Sequence, residues 1–136
     1  MKKYLILLIF LLTGCFKDVA KGNLTNICTK TLKTENLSDT TIYEIKFKQD
    51  IISNIKLTKL YEGDSKIIES IISSTEYQNK LYNVKIESEK SEETYKIIYY
   101  LDNNSDDKLK EQFNLLEERS KQVKKLEELG FKCESA

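Results

Sequence analysis

Cysteine is the residue type best able to do chemistry in this chain, and it occurs at positions 15, 28 and 133. A cysteine sulfur can carry a lipid, form a disulfide or ligate a metal. Histidine is absent, which excludes catalytic triads and dyads that use a histidine base. The four glycines stand singly, so no Gly-rich phosphate loop is present. The residues therefore predict a protein that is not an enzyme, and they indicate no cofactor.

The chain begins like an exported protein. Lys2 and Lys3 precede an apolar run of nine residues, Tyr4 to Leu12. A helix needs about 20 apolar residues to span a bilayer, so this pattern is typical of a secretion signal. Leu12-Thr13-Gly14-Cys15 resembles the lipobox of bacterial lipoproteins. The resemblance implies that residues 1–14 are removed and that Cys15 receives a diacylglyceryl group. The alternatives are an ordinary signal peptide and a cysteine placed there by chance.

A lipidated Cys15 has consequences for location and partners. Two acyl chains hold a protein lastingly at a membrane, so we expect anchorage to the outer face of the plasma membrane, at the cell surface. Residues 15–23 would form the tether and residues 24–136 a single domain. Lysine outnumbers arginine 21 to one and proline is absent, a bias that suggests a low-GC bacterium. Charges of both signs are interleaved, so nucleic acid is not an expected partner.

Cys28 and Cys133 remain once Cys15 is assigned to the lipid. An even pair of cysteines in an exported protein predicts a disulfide. Their sequence positions differ by 105, so the bond would close nearly the whole domain into one loop. We expect their Cα atoms to lie roughly 4.4 to 6.8 Å apart. The alternatives are two buried free thiols or a metal site, although no histidine or nearby third cysteine would complete the latter.

The acidic stretch from Asp102 to Asp107 offers the best candidate for a cation site. It puts oxygen atoms at the first, third and fifth places of a calcium loop of the EF-hand kind, at Asp102, Asn104 and Asp106. The match then ends, because Asp107 stands where glycine is needed and Phe113 stands where a bidentate glutamate is needed. The other interpretation is a turn whose Ser105 or Asp106 caps a helix. We predict no metal site here.

Hydrophobic spacing indicates strands in the first half of the domain. Leu24 to Lys33 is rich in threonine, and Thr41 to Lys48 alternates apolar and polar residues, which predicts half-buried strands. A turn at Gln49-Asp50, or a longer loop reaching Asn54, would lead into a third strand from Ile55 to Tyr61. A helix capped by Asp64 is then expected, because apolar residues fall on one helical face at Ile67, Ile68, Ile71 and Ile72.

The second half repeats this order. Tyr82 to Ile86 and Tyr95 to Leu101 alternate like strands, and the latter is apolar on both faces, as a strand covered on both sides would be. A helical face follows at Leu109, Phe113 and Leu116 and continues at Val123, Leu126 and Leu129, with a break near Ser120 as an option and Gly130 as its end. The sequence predicts an α+β domain: an antiparallel sheet of about five strands with two or three helices on one side.

Short motifs around the two cysteines carry a resemblance to a family. They are Ile27-Cys28-Thr29-Lys30 in the first strand, Phe47 to Asp50 in the hairpin, and Leu129-Gly130-Phe131-Lys132-Cys133 at the end. Together with the lipobox, this order resembles the small YehR-like bacterial lipoproteins, a group of unknown function. The resemblance implies an α+β domain on a lipid tether and no catalytic residue.

Two functions follow from these expectations. The first is a binding or interaction module at the cell surface, with a peptide, a wall component or a membrane protein as its partner. The second is an accessory or structural lipoprotein without a ligand of its own. The tyrosines could decide between them, because Tyr95, Tyr99 and Tyr100 could form an aromatic ligand face or belong to the sheet core. A concave tyrosine-lined groove would favour the first function, and a smooth charged surface the second.

Overall fold

The computed structural model describes residues 23–102, 105, 107–115 and 119–136. The predicted signal peptide, Cys15 and most of the tether lie outside these residues. Within them are six strands and three helices, and the sheet is antiparallel in the order β4-β5-β3-β2-β1-β6. The elements in chain order are β1 Asn23–Lys33, β2 Leu37–Lys48, β3 Ile51–Gly63, α1 Ser65–Asn79, β4 Lys85–Lys90, β5 Thr94–Asp102, α2 Asp107–Gln112, α3 Arg119–Glu128 and β6 Lys132–Ser135. The predicted α+β class is confirmed.

The helices pack on one face of the sheet, here called the inner face. Each helix buries one hydrophobic side chain fully among the inner-face residues: Ile68 from α1, Leu109 from α2 and Leu126 from α3. The buried hydrophobic side chains of the sheet are Cys28, Tyr43, Ile45, Phe47, Ile52, Ile55, Leu57, Tyr95, Ile97, Tyr99 and Leu101, and the buried polar side chains are Asn26 of β1 and Gln122 of α3. Alternation along each strand places the strand residues on one side, so the core is a single layer between sheet and helices.

A bulge keeps the hairpin between β2 and β3 in register with this core. Lys46 pairs with Asn54 and Phe47 with Ile52, which leaves Ser53 as the extra residue. The Ser53 hydroxyl donates a hydrogen bond to the Lys46 carbonyl at 3.1 Å. The inserted residue reverses the alternation of β3, so Ile52 is buried together with Ile55 and Leu57.

The predicted helix ends are found in place. The Asp64 side chain accepts a hydrogen bond from the Lys66 backbone N–H at 2.9 Å, which caps α1. Gly130 has φ +95° and ends the helix that precedes it. The optional break near Ser120 is present, because α2 ends at Gln112 and α3 begins at Arg119. Leu116, predicted on the helical face, lies outside the described residues.

Cys28 and Cys133 lie directly opposite each other on β1 and β6. Their sulfur atoms are 2.06 Å apart, which is bonding distance, and their Cα atoms are 4.0 Å apart. The Cα separation is slightly below the expected range of roughly 4.4 to 6.8 Å. The segment after Gly130 forms the sixth strand, a short edge strand that the estimate of about five strands did not include.

Two expectations for the second hairpin are wrong. The strand expected from Tyr82 begins at Lys85, because the Tyr82 N–H bonds to the Asn79 carbonyl in the turn that ends α1. The apolar residues at alternate positions, Tyr82 and Val84, pack against the core from the connection between α1 and β4. The other wrong expectation is that β5 is covered on both faces. Its outer-face residues are only half-buried. Their cover comes from neighbouring strands, as where the Lys85 ammonium lies 5.0 Å from the centre of the Tyr100 ring.

Candidate ligand-binding cleft

A cleft of about 430 Å³ lies over the inner face of the sheet, where the helices leave it uncovered. The last turns of α1 border one side at Thr75 and Gln78. The end of α2, with the residues that follow it, and the segment after α3, residues 129–131, border the rest. The volume falls in the range of small-ligand sites, which is roughly 300 to 1,000 Å³.

The floor of the cleft is a polar row that crosses three strands. Strand pairing places Lys30 opposite Thr41, and Thr41 opposite Lys59. These three side chains lie on the inner face of β1, β2 and β3, next to the buried hydrophobic residues. They therefore form the polar edge of the core. Their alignment depends on the register of two strand pairs and is invisible within any single strand.

Of the two lysines in this row, Lys59 donates the larger number of hydrogen bonds among the described residues. Its ammonium donates hydrogen bonds to the Asp39 carboxylate at 3.0 Å and to the Thr41 hydroxyl at 2.7 Å. The same ammonium lies 5.3 Å from the centre of the Tyr61 ring. The side chains of Lys59 and Asp39 are 21% and 26% exposed. Burial of a charge requires such partners, so the pair accounts for a lysine on the core-facing side of β3.

Two tyrosine hydroxyls fasten the sheet side of the cleft to its helical side, and a third joins the connection after α1 to the end of α2. The Tyr43 hydroxyl donates to the Phe113 carbonyl at 2.9 Å, just after α2. The Tyr99 hydroxyl donates to the Asn79 side-chain oxygen at 2.8 Å, at the end of α1. The Tyr82 hydroxyl donates to the side-chain oxygen of Gln112. These bonds hold the walls at a set distance from the floor, which favours a preformed cleft.

Three tyrosines of the cleft, Tyr43, Tyr61 and Tyr99, remain protonated at physiological pH. Burial raises the pKa of Tyr43 to about 12. Burial, assisted by the negative charge of Asp39, raises the pKa of Tyr61 to about 12. Burial also raises the pKa of Tyr99 to about 12, although its hydrogen bond to Asn79 acts in the opposite direction. Each hydroxyl is therefore a hydrogen-bond donor and carries no charge.

The rim of the cleft is apolar and carries a second lysine. Leu32 is 55% exposed and Leu129 is 36% exposed. The Lys30 ammonium donates to the Leu129 carbonyl at 2.5 Å and lies 5.7 Å from the centre of the Phe131 ring. This cation therefore also satisfies a carbonyl at the end of α3.

The predicted tyrosine cluster on β5 is divided by the sheet. Tyr95 and Tyr99 are buried on the inner face, as the core interpretation predicted, and Tyr99 also lines the cleft. Tyr100 lies on the outer face, where its hydroxyl donates to the Glu87 carboxylate at 3.1 Å. The three tyrosines therefore do not form one ligand face.

Only part of the acidic stretch from Asp102 to Asp107 lies among the described residues. Asn104 and Asp106 lie outside the described residues, while Asp102 ends β5 and Asp107 begins α2. The Ser105 side-chain oxygen accepts a hydrogen bond from the Asp102 N–H at 3.0 Å, so this serine stabilises the turn that follows β5. Among the described residues, no group of three acidic, cysteine or histidine side chains could hold a metal ion.

Sequence reasoning missed the polar residues of the cleft. The signal was present in β3, where Lys59 falls between Leu57 and Tyr61 in the alternation that faces the core. Lysine at such a position needs a partner, but only the fold shows that the partners are Asp39 and Thr41.

Two further searches bear on function. In the part of the chain that the structure describes, no helix is both long enough and apolar enough to cross a bilayer. Comparison with protein-family models, with curated proteins and with solved structures finds no match for this chain.

Proposed function

We propose that this protein is a lipid-anchored binding module of the cell surface, in which Cys15 carries the anchor and the cleft binds the ligand. The observation that carries the proposal is the tyrosine-lined cleft itself. It combines concavity, aromatic walls and a few convergent polar groups, the features that small-ligand sites share. A smooth charged surface would have favoured an accessory protein without a ligand.

The position of the cleft suits a protein tethered by its N-terminus. The chain enters the sheet at Asn23, the first residue of β1, whereas Lys30 and Leu32 lie toward the other end of that strand. A strand rises about 3.3 Å per residue, so Lys30 and Leu32 lie roughly 23 to 30 Å from the point where the tether joins the sheet. A ligand would then reach it from the side of the wall or the medium.

The rigidity of the site also supports binding. The hydroxyls of Tyr43 and Tyr99 join the sheet to the helical side of the cleft, and the Lys59–Asp39 pair orders its floor. A site that is ordered before the ligand arrives avoids the entropy loss of ordering loops and side chains on binding.

The anchor is tested by replacing Cys15 with serine. We expect the Cys15→Ser protein to appear in the culture fluid or to remain as unprocessed precursor, without incorporation of a labelled fatty acid, because serine offers no thiol for the thioether. Normal acylation of this variant would refute the role of Cys15.

The cleft is tested with two substitutions of equal exposure. Leu32 at the rim is 55% exposed, and Ile51, the first residue of β3 and outside the cleft, is 53% exposed. We expect Leu32→Glu to abolish capture of the ligand from whole cells by the tethered protein, and Ile51→Glu to leave capture unchanged. Capture that survives Leu32→Glu, or is lost equally with Ile51→Glu, would contradict a ligand site in the cleft.

A further inference from the structure

We propose that the ligand of the cleft is a short peptide that ends in a free carboxylate next to an apolar or aromatic side chain. The inference rests on the proposed function and names the chemical class of the ligand. It depends on the charge of the cleft, on its hydrogen-bond donors and on its mixed walls.

The charge of the cleft is opposite to that of the rest of the protein. Its charged lining residues are Lys30, Lys59 and Asp39, an excess of one positive charge. Residues 1–14 contain two of the 22 basic residues and none of the 22 acidic residues, so the chain from Cys15 onward carries two more acids than bases. A positive concave site on a negative protein attracts an anionic group and concentrates it there.

The donors of the cleft match a carboxylate. An ammonium group has three N–H bonds, of which Lys59 uses two and Lys30 one among the described residues. The two lysines flank Thr41 on neighbouring strands of the same face, so their backbones lie about 10 Å apart and both flexible side chains can reach one carboxylate. The Tyr61 hydroxyl, which has no hydrogen-bond partner among the described residues, adds a neutral donor beside them.

The walls favour a peptide over a fatty acid with the same end group. Leu32, Leu129 and Phe131 supply apolar surface next to the ammonium groups. The side-chain amides of Gln78 and Gln112 line the opposite side. A peptide backbone needs donors and acceptors along its length, whereas a hydrocarbon chain is best buried by a wholly apolar lining.

The first experiment compares ligands that differ only at the end group. The full-length chain is expressed and its mature product is purified in mild detergent. Nuclear magnetic resonance titration then measures binding of acetylated tripeptides ending in Phe, Tyr or Leu, as free acids and as C-terminal amides, with octanoate as the lipid-like probe. We expect a free acid to bind about five- to tenfold more tightly than its amide, since charge-assisted hydrogen bonds are stronger than neutral ones, and the preference to weaken with added salt.

The second experiment uses substitutions that act in opposite directions. Lys30→Gln should weaken binding of the free acid about fivefold. Asp39→Asn should tighten it roughly two- to threefold, because it removes the competing negative charge and releases Lys59. Damage to the fold would only weaken binding, so a gain with Asp39→Asn separates electrostatics from structure. The matched control is Lys33→Gln, three positions along β1 and outside the cleft, which should leave binding unchanged.

Three results would overturn the inference. They are equal binding of acid and amide, tighter binding of octanoate than of any peptide, and no binding of any probe. The capture experiment with Leu32→Glu and Ile51→Glu decides the proposed function separately. A wrong ligand class therefore remains distinguishable from a cleft that binds nothing.

Discussion

Removal of the bond between Cys28 and Cys133 is the perturbation with the largest calculable effect on this fold. The two residues are separated by 105 positions, so the bond closes almost the whole described domain into one loop. The chain-entropy model assigns such a loop about 4.7 kcal/mol of stabilisation at 25 °C, as an upper figure. Apart from the cysteine pair, three residue pairs join β6 to β1, and the Ala136 N–H donates to the Thr25 carbonyl at 2.8 Å. We therefore expect a Cys28→Ala, Cys133→Ala double variant to lose about 3 to 5 kcal/mol of unfolding free energy.

Urea unfolding measures this loss. With a slope of about 1.5 kcal/mol per molar urea, typical of a small domain, the midpoint should fall by roughly 2 to 3 M. The oxidised and reduced wild-type proteins and the double variant are compared with Cys15 unchanged. The reduced wild type should resemble the variant, and any remaining difference between them reports packing of the buried Cys28 sulfur. Equal midpoints for oxidised and reduced protein, or titration of both thiols in the native state, would refute the bond.

Three other predictions concern stability. Gly63→Ala should lose about 1 to 3 kcal/mol in urea unfolding, because an added Cβ would lie 2.2 Å from the Asn36 carbonyl oxygen; an unchanged midpoint would contradict this close approach. Ile68→Ala should lose about 2 to 5 kcal/mol, since Ile68 is fully buried, whereas Ile67→Ala on the same helix should lose clearly less; equal losses would mean that α1 is seated differently. The unfolding free energy should also fall between pH 10 and 12. Unfolded tyrosines lose their protons near pH 10 while three folded ones keep them to about pH 12, so the unfolded state binds fewer protons in this interval. Phenolate absorbance that rises near pH 10 for every tyrosine of the folded protein would count against it.

Local patterns predicted the elements well where one physical rule acted alone. Period-two alternation located Thr41 to Lys48 within β2 and Ile55 to Tyr61 within β3, although both strands begin four residues earlier, at Leu37 and Ile51. Apolar residues at helical spacing located α1 although isoleucine prefers strands. Asp64 and Gly130 were recognised as helix ends because their roles depend on backbone groups only a few residues away. Alternation wrongly predicted a strand beginning at Tyr82, where side chains pack on the core without strand pairing. At β5, apolar residues on both faces wrongly predicted cover by a second layer, whereas neighbouring side chains cover the outer face.

The sequence by itself determined the fold class, the order of strands and helices along the chain, and the pair of cysteines near the two ends of the domain. Each of these follows from hydrophobic period or from a count of thiols, which the linear order of residues contains. The cleft was decided only by the tertiary structure. Its floor joins Lys30, Thr41 and Lys59 from three strands, and its walls depend on where α1 ends over β5. Such a site arises from strand register and from the area that the helices leave uncovered, and both are set by packing between segments distant in sequence.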